Sequence, residues 1–232
     1  MTRHAVECPS PNFDARPLNT PVDILLLHYT GMETGAGALA RLCDPEAKVS
    51  AHYTVDEDGT IFAHVPEGAR AWHAGVSYWA GARDINARSI GIEIVNPGHE
   101  FGYRSFPDAQ VEAVIDLALD IFSRHPIAPA RVLGHSDVAP ARKLDPGELF
   151  PWGALALAGV GVWPQTRKAE LTAPFEDGLR AFGYGLMPDM DVPAKTVIEA
   201  FQRHFRPARI DGIADKECEA ILAALLTHID IE

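Results

Sequence analysis

Apolar residues recur along this chain with two different periods. Residues 22–29 contain four successive apolar side chains, Ile24-Leu25-Leu26-Leu27, bounded by Pro21 and Gly31. Such a run suits an interior strand better than a one-sided helix, and it leaves His28 near the strand end. Residues 50–55 and 60–65 are β-rich and are joined by Asp56-Glu57-Asp58-Gly59, whose Asp-Gly pair predicts a hairpin. Residues 90–95 read as another buried strand, with Glu93 set among Ile92, Ile94 and Val95. From Pro107 to His125 the period lengthens: Val111, Val114, Ile115, Ala118, Ile121 and Phe122 recur three and four residues apart. This predicts an amphipathic helix packed on a sheet, with Pro107 and Asp108 in its first turn. Residues 131–133 form a short strand that delivers Gly134 and His135 into a loop. Strands and helices interleaved in this way indicate an α/β domain of about 160 residues, a mixed central sheet flanked by helices.

The two ends differ from this pattern. Residues 1–20 are rich in Pro and Asn and read as an irregular arm. Between Ala154 and Pro174 small, Gly-rich and Pro-containing sequence interrupts the pattern, and Pro164-Gln165-Thr166 reads as the start of a linker. A compact unit of three helices follows: 175–182, then 197–205 with Val197, Ala200, Phe201 and Phe205 on one face, then 215–226, capped by Asp215 after an Asp211-Gly212 turn. The expected division is 1–164 and 165–232. A unit of ~60 residues is marginal alone and viable when docked on a neighbour.

Composition narrows the classes. The 232 residues are 47% hydrophobic and 22% charged, ordinary for a globular chain, and the net charge of -12 leaves no basic patch for nucleic acid or an anionic membrane surface. No stretch approaches the ~20 apolar residues of a membrane span. The N-terminus lacks the continuous apolar segment of a secretory leader, so the chain reads as cytoplasmic, with a periplasmic location as the alternative if a leader has been removed. Cys8, Cys43 and Cys218 are odd in number and far apart, which signals neither a disulfide framework nor a cysteine zinc knuckle and leaves them as inert thiols.

The chemistry concentrates around residues 134–147. His135 and Asp145 stand ten residues apart in a loop constrained by Pro140, Pro146 and Gly147, and both can face one point if that loop folds back. With His28 they make two imidazoles and one carboxylate, the open three-ligand set that leaves zinc a fourth position for hydrolytic chemistry. Lys143 precedes Asp145 by two residues and so shares its side of an extended segment; it reads either as a donor to a developing oxyanion or as a solvated amine. Glu93 either lies on the polar face of a half-exposed strand or sits in an apolar cleft that raises its pKa and suits it to shuttle a proton. Other catalytic patterns fail on spacing. Tyr103 stands where a His-Glu-x-x-His site beginning at His99 needs its second histidine, and Trp79 ends the Gly75-x-Ser77 run where a nucleophile elbow needs glycine. A Gly-rich phosphate loop is missing as well, so a serine hydrolase or nucleotide enzyme is disfavoured.

Residues 134–147, together with Val49-Ser50-Ala51-His52-Tyr53, Ala71-Trp72-His73-Ala74-Gly75 and Asn86-Ala87-Arg88-Ser89-Ile90-Gly91-Ile92-Glu93, strongly resemble the zinc-dependent N-acetylmuramoyl-L-alanine amidases of the AmpD/AmiD type, relatives of the peptidoglycan recognition proteins. The similarity extends over roughly residues 20–155, and the tail resembles a helical peptidoglycan-binding domain. The resemblance implies cleavage of the amide between the lactyl group of N-acetylmuramic acid and L-Ala of the stem peptide; with the cytoplasmic reading of the N-terminus, the expected substrate is the 1,6-anhydro form and the expected role wall recycling. It implies one Zn2+ per chain on His28, His135 and Asp145, Glu93 acting on water and leaving group, Lys143 on the oxyanion, and Trp72, His73 and Asn86 lining a cleft for peptidoglycan fragments. The family often carries Arg two positions before the Asn of its Asn-x-x-Ser-Ile-Gly motif. Here Asp84 occupies that position, with Arg83 or Arg88 as substitutes for recognising substrate carboxylates. Two alternatives accompany this reading: an exported amidase acting on intact wall, and a muropeptide-binding protein without activity.

Overall fold

The computed structural model describes residues 5–164, 170–186 and 192–229; Gln165 and Thr166 of the expected linker lie outside them. The apolar run near the start becomes β3 (Ile24–Tyr29), whose first five residues are buried. It joins β1 (Val6–Glu7), β4 (Tyr53–Val55), β5 (Ile61–Ala63), β7 (Ser89–Ile94) and β8 (Val132–Gly134) in a six-stranded sheet of order β1-β5-β4-β7-β3-β8. Only the β4–β5 pair is antiparallel, the expected hairpin, with Gly59 in the left-handed conformation its turn requires (φ 84°). The arm is more ordered than its composition suggests: besides β1 it supplies β2 (Phe13–Ala15), which pairs antiparallel with β6 (Ala69–Ala71).

Alternation along β3 divides the core in two. Leu25 and Leu27 point with Ile90, Ile92 and Ile94 toward α4 (Asp108–Phe122), which buries Ala113, Val114, Leu117, Ala118 and Ile121 as its spacing predicts. Ile24 and Leu26 point the other way. There they meet Leu133 and Val138 and, in the same apolar cluster, Leu179, Phe182, Val197, Phe201, Phe205 and Leu222 from α7 (Phe175–Phe182), α8 (Ala194–Phe205) and α9 (Lys216–Leu226). The three expected helices therefore share one core with a face of the sheet. Trp79 fills that boundary, 2% exposed, edge-on to Phe182 and Tyr184.

Shorter helices escape the periodicity: α1 (Gly35–Cys43), α2 (Ile85–Arg88), α3 (Gly98–Phe101), α5 (His135–Val138) and α6 (Trp152–Leu157). At α5 the structure corrects an expectation. His135 opens a helical turn rather than a loop, because the Asp137 carboxylate accepts the Gly134 amide (2.7 Å) and closes the turn's N-terminus. The same carboxylate accepts the Tyr184 hydroxyl (2.6 Å) and faces His204 Nδ1 (2.7 Å), so polar contacts also tie the turn that begins at His135 to the C-terminal helices.

Candidate functional site

Strand register decides which polar groups meet. Ser89, Gly91 and Glu93 of β7 pair with Ile24, Leu26 and His28 of β3, which puts Glu93 and His28 on one face. On the other side of β3, Leu27 pairs with Gly134, so the next residues, His28 and His135, emerge together at the carboxyl ends of parallel strands. That edge is where open α/β sheets bind ligands. The 139–145 segment folds back as expected, with Ser136 N donating to Asp145 O (2.9 Å).

Three atoms converge there: His28 Nδ1 lies 2.9 Å from His135 Nδ1 and 3.1 Å from Asp145 Oδ2, and His135 Nδ1 lies 3.0 Å from Asp145 Oδ2. Hydrogen bonding fixes what each atom offers. His135 Nε2 faces the Ala74 carbonyl (3.0 Å), which only accepts, so the proton is on Nε2 and Nδ1 is a bare lone pair. His28 is set by a longer relay. The Ser89 hydroxyl donates to Ile85 O (2.6 Å) and so accepts from His73 Nε2 (3.4 Å); His73 Nδ1 is then left to accept from His28 Nε2 (3.0 Å). His28 Nδ1 is thereby also bare. Burial and the adjacent His135 push the His28 pKa down to about 4, and burial with His28 beside it holds His73 well below the ordinary imidazole value.

Two lone pairs and a carboxylate oxygen, all buried, thus point at one another. Acceptors gathered with no proton between them are stable only around a cation. Ligand atoms about a tetrahedral zinc stand roughly 3.3 Å apart, close to the separations here, so the donor set fits zinc in number, type and size.

The relay needs a gap in β7. A Cβ on Gly91 would fall 2.6 Å from the His73 ring. Gly91→Ala is therefore expected to push His73 away from His28 and weaken metal affinity by about 10- to 100-fold, the range for losing a group that orients a ligand. A competition titration against a chelator measures this, and wild-type affinity in the variant would remove His73 from the relay.

His135 and Asp145 open onto a cavity of ≈ 470 Å³ that Glu93, Lys143, Trp72 and His73 also line. Of the two surroundings open to Glu93, the structure has the cleft. Its Oε2 is buried without a hydrogen-bond partner among the described residues. Burial and the Asp145 carboxylate raise its pKa well above the ordinary value, with Lys143 pulling the other way. Trp72 is a wall rather than core, half-buried, its Nε1 donating to Asp14 Oδ2 (2.7 Å).

The other expected site residues lie elsewhere. Asn86 is buried beneath the cavity, where its Oδ1 accepts the amides of His73 (3.0 Å) and Ala74 (2.8 Å) and holds the segment bearing the relay. Arg83 lies over the Tyr78 ring, 5.8 Å from its centroid, and Arg88 donates through Nε to Asp23 Oδ1 (2.9 Å); neither lines the cavity. Asp84 caps α2 and pairs with Arg70 (2.9 Å). The cationic side chains that line the cavity besides Lys143 are Arg41 and Arg142. Arg142 is held there by the Ala74 carbonyl (3.1 Å) and the Val76 carbonyl, and only its place beside Lys143 in the sequence hinted at it.

Residues 18–148 match the model of the family described as N-acetylmuramoyl-L-alanine amidase. The chain is 40% identical to N-acetylmuramoyl-L-alanine amidase AmiD of Escherichia coli K12, over 88% of this chain and 82% of that protein. It is 34% identical to 1,6-anhydro-N-acetylmuramyl-L-alanine amidase AmpD of Haemophilus influenzae, over 62% of this chain and 85% of that one. Among solved structures, E. coli AmiD in complex with anhydro-N-acetylmuramic acid-L-Ala-D-gamma-Glu-L-Lys superposes with a TM-score of 0.79 at 39% identity, covering 90% of this chain and 91% of that one. Pseudomonas aeruginosa AmpDH3 with an anhydromuramic pentapeptide gives 0.82 at 35% identity, covering 92% and 94%.

Proposed function

Since the chain belongs to the N-acetylmuramoyl-L-alanine amidase family, we propose that it hydrolyses the amide between the lactyl group of N-acetylmuramic acid and L-Ala of the stem peptide at a single zinc ion held by His28, His135 and Asp145. The observation that carries this reading is the convergence of three buried acceptor atoms within 2.9–3.1 Å of one another. Zinc, when bound, supplies Lewis acidity that acidifies water and polarises the amide carbonyl.

The residues supply the rest. Glu93 takes a proton from the attacking water and returns it to the departing L-Ala amine as the C–N bond breaks, leaving a lactyl carboxylate and a free peptide N-terminus. A carboxylate with one oxygen buried and unpartnered among the described residues, and a raised pKa, is suited to both transfers. The Lys143 ammonium donates to the oxyanion that forms on the lactyl carbonyl. His73 and Asn86 position this machinery. Trp72 offers an aromatic wall to sugar or peptide, and Arg41 and Arg142 take the carboxylate-binding role expected of Arg83 and Arg88.

The relatives solved with anhydromuramyl peptides support a 1,6-anhydro sugar in the substrate, and the similarity to the 1,6-anhydro-N-acetylmuramyl-L-alanine amidase AmpD supports a cytoplasmic recycling role. No helix among the described residues is long and apolar enough to cross a membrane. Residues 165–232 act as a buttress to the catalytic unit 1–164, a role supported by the core they share. A second reading, an exported enzyme acting on intact wall, is favoured by the similarity to AmiD over 88% of this chain, beside which the match to AmpD spans 62%. Mass spectrometry of products from a defined anhydro-muropeptide, its reducing-end counterpart and polymeric sacculi, together with fractionation of the native protein, separates the two. Faster cleavage of sacculi and an envelope location would overturn the recycling role; zinc-replete protein that released no peptide from any of the three would leave a binding protein only.

A further inference from the structure

Cys8, just beyond β1, and Cys43, the last residue of α1, read from the sequence as separate inert thiols, yet their sulfurs lie 3.2 Å apart. That is closer than unbonded sulfurs ordinarily pack, and both residues are partly accessible. The backbone enforces the approach. β1 pairs with β5, Cys8 N donates to Ala63 O (2.9 Å) and Ser10 N to His64 O (3.0 Å). Ser10 Oγ donates to Leu42 O (2.5 Å), and Asn12 Nδ2 to Asp44 O (2.8 Å) and Val49 O (2.9 Å). The arm is thus laced against the end of α1 on the C-terminal side of Cys8 and against β5 on the other.

His64 stands beside the pair, its Nδ1 3.8 Å from Cys43 Sγ, so the three groups could be taken for a second metal site. The imidazole is committed elsewhere. Its Nδ1 lies 2.7 Å from the Cys8 carbonyl oxygen, which only accepts, so Nδ1 carries a proton and presents no lone pair; its Nε2 accepts from the Thr54 hydroxyl (2.8 Å). Cys43 Sγ also reaches the Cys8 carbonyl oxygen (3.3 Å), and neither sulfur is engaged by the imidazole as a ligand to a shared metal.

We propose that Cys8 and Cys43 form a disulfide that staples the N-terminal arm to the helix walling the substrate cavity. The reaction is thiol–disulfide exchange with an external disulfide as oxidant. One cysteine thiolate attacks the oxidant, displaces one of its sulfurs as thiolate and forms a mixed disulfide; the second cysteine thiolate then displaces the other. The pair loses two protons and two electrons, and the oxidant leaves as two thiols. Both joined segments serve the site. Ala38, Arg41 and Leu42 of α1 line the cavity, while the arm carries Asp14, the partner of Trp72, and Arg16, which donates to Asn86 O (3.0 Å), Ala87 O (2.8 Å) and Ser89 O (2.8 Å).

The test uses the full chain, reduced and then incubated with excess glutathione disulfide, trapped with N-ethylmaleimide in denaturant and mapped by mass spectrometry. Expected are a Cys8–Cys43 linked peptide, alkylation of buried Cys218 alone, and reversal by dithiothreitol. Closing this 35-residue separation restricts the unfolded chain, so reduction is expected to lower the melting temperature by about 5–10 °C. In Cys8→Ser, whose amidase activity is expected to be unchanged, reduction leaves the melting temperature where it was. Alkylation of both Cys8 and Cys43 after oxidation would overturn the proposal. So would stable glutathione adducts on either residue, or a second zinc per chain that disappears in Cys8→Ser.

Discussion

Asp145→Ala is expected to lose zinc and amide hydrolysis together. Of the three proposed ligands Asp145 alone brings negative charge, and its carboxylate is buried, 4% exposed, beside two imidazoles. Without it, a divalent cation at the site would be desolvated against lone pairs alone, with no charge to offset its own. Metal bound after dialysis against a metal buffer should fall from one ion per chain to near zero. Lewis acidity at such centres is worth several kcal/mol, so the rate should drop by about 10³-fold or more. Asp145→Asn keeps the shape and removes the charge, and it should weaken binding in the same direction. Circular dichroism guards against simple unfolding. A folded Asp145→Ala protein that retained stoichiometric zinc and near-wild-type turnover would exclude Asp145 from the centre.

Much of this centre is legible in the sequence because its parts sit at strand ends, and strands announce themselves. The apolar run at 24–27 locates β3 and so His28, and a carboxylate among isoleucines marks Glu93. What the sequence withholds is register. Nothing local says that Leu27 pairs with Gly134, and that pairing is what sets His28 beside His135. Short elements are lost for a related reason. α1 buries only Ala38 and Leu42, too few apolar positions to show a period, although Thr34 caps it by accepting from Gly37 N (3.1 Å). Arg41 therefore carries no local signal of its place on the cavity wall. Asn86 shows the opposite case: a polar residue in a cleft motif suggests contact with substrate, and only the structure shows that its amide oxygen accepts two backbone amides. The Ser89–His73–His28 relay is the least readable feature. Each link depends on which atom already holds a proton, and that follows only from partners in other strands and turns.

Glu93→Gln separates proton transfer from metal binding. Glutamine preserves the volume in β7 and leaves His28, His135 and Asp145 untouched, so zinc content should remain at one per chain while kcat falls by about 10²- to 10⁴-fold, the usual worth of a positioned acid–base group. The pH profile supplies a second readout. A general base works in its ionised form, so kcat/KM must fall as pH falls through the Glu93 pKa. Burial and the Asp145 carboxylate disfavour that ionised form and move its titration upward. In metal-free protein the Glu93 carboxyl, followed by infrared difference spectroscopy against the variant, should therefore titrate well above the ordinary 4.5. A bound cation favours the carboxylate and lowers the same titration. The acidic limb of the zinc enzyme is thus expected at a lower pH than the titration of the metal-free protein, and it should be absent from the residual activity of Glu93→Gln. Wild-type kcat in that variant, or an acidic limb that survives the substitution unchanged, would assign the proton transfer to another group.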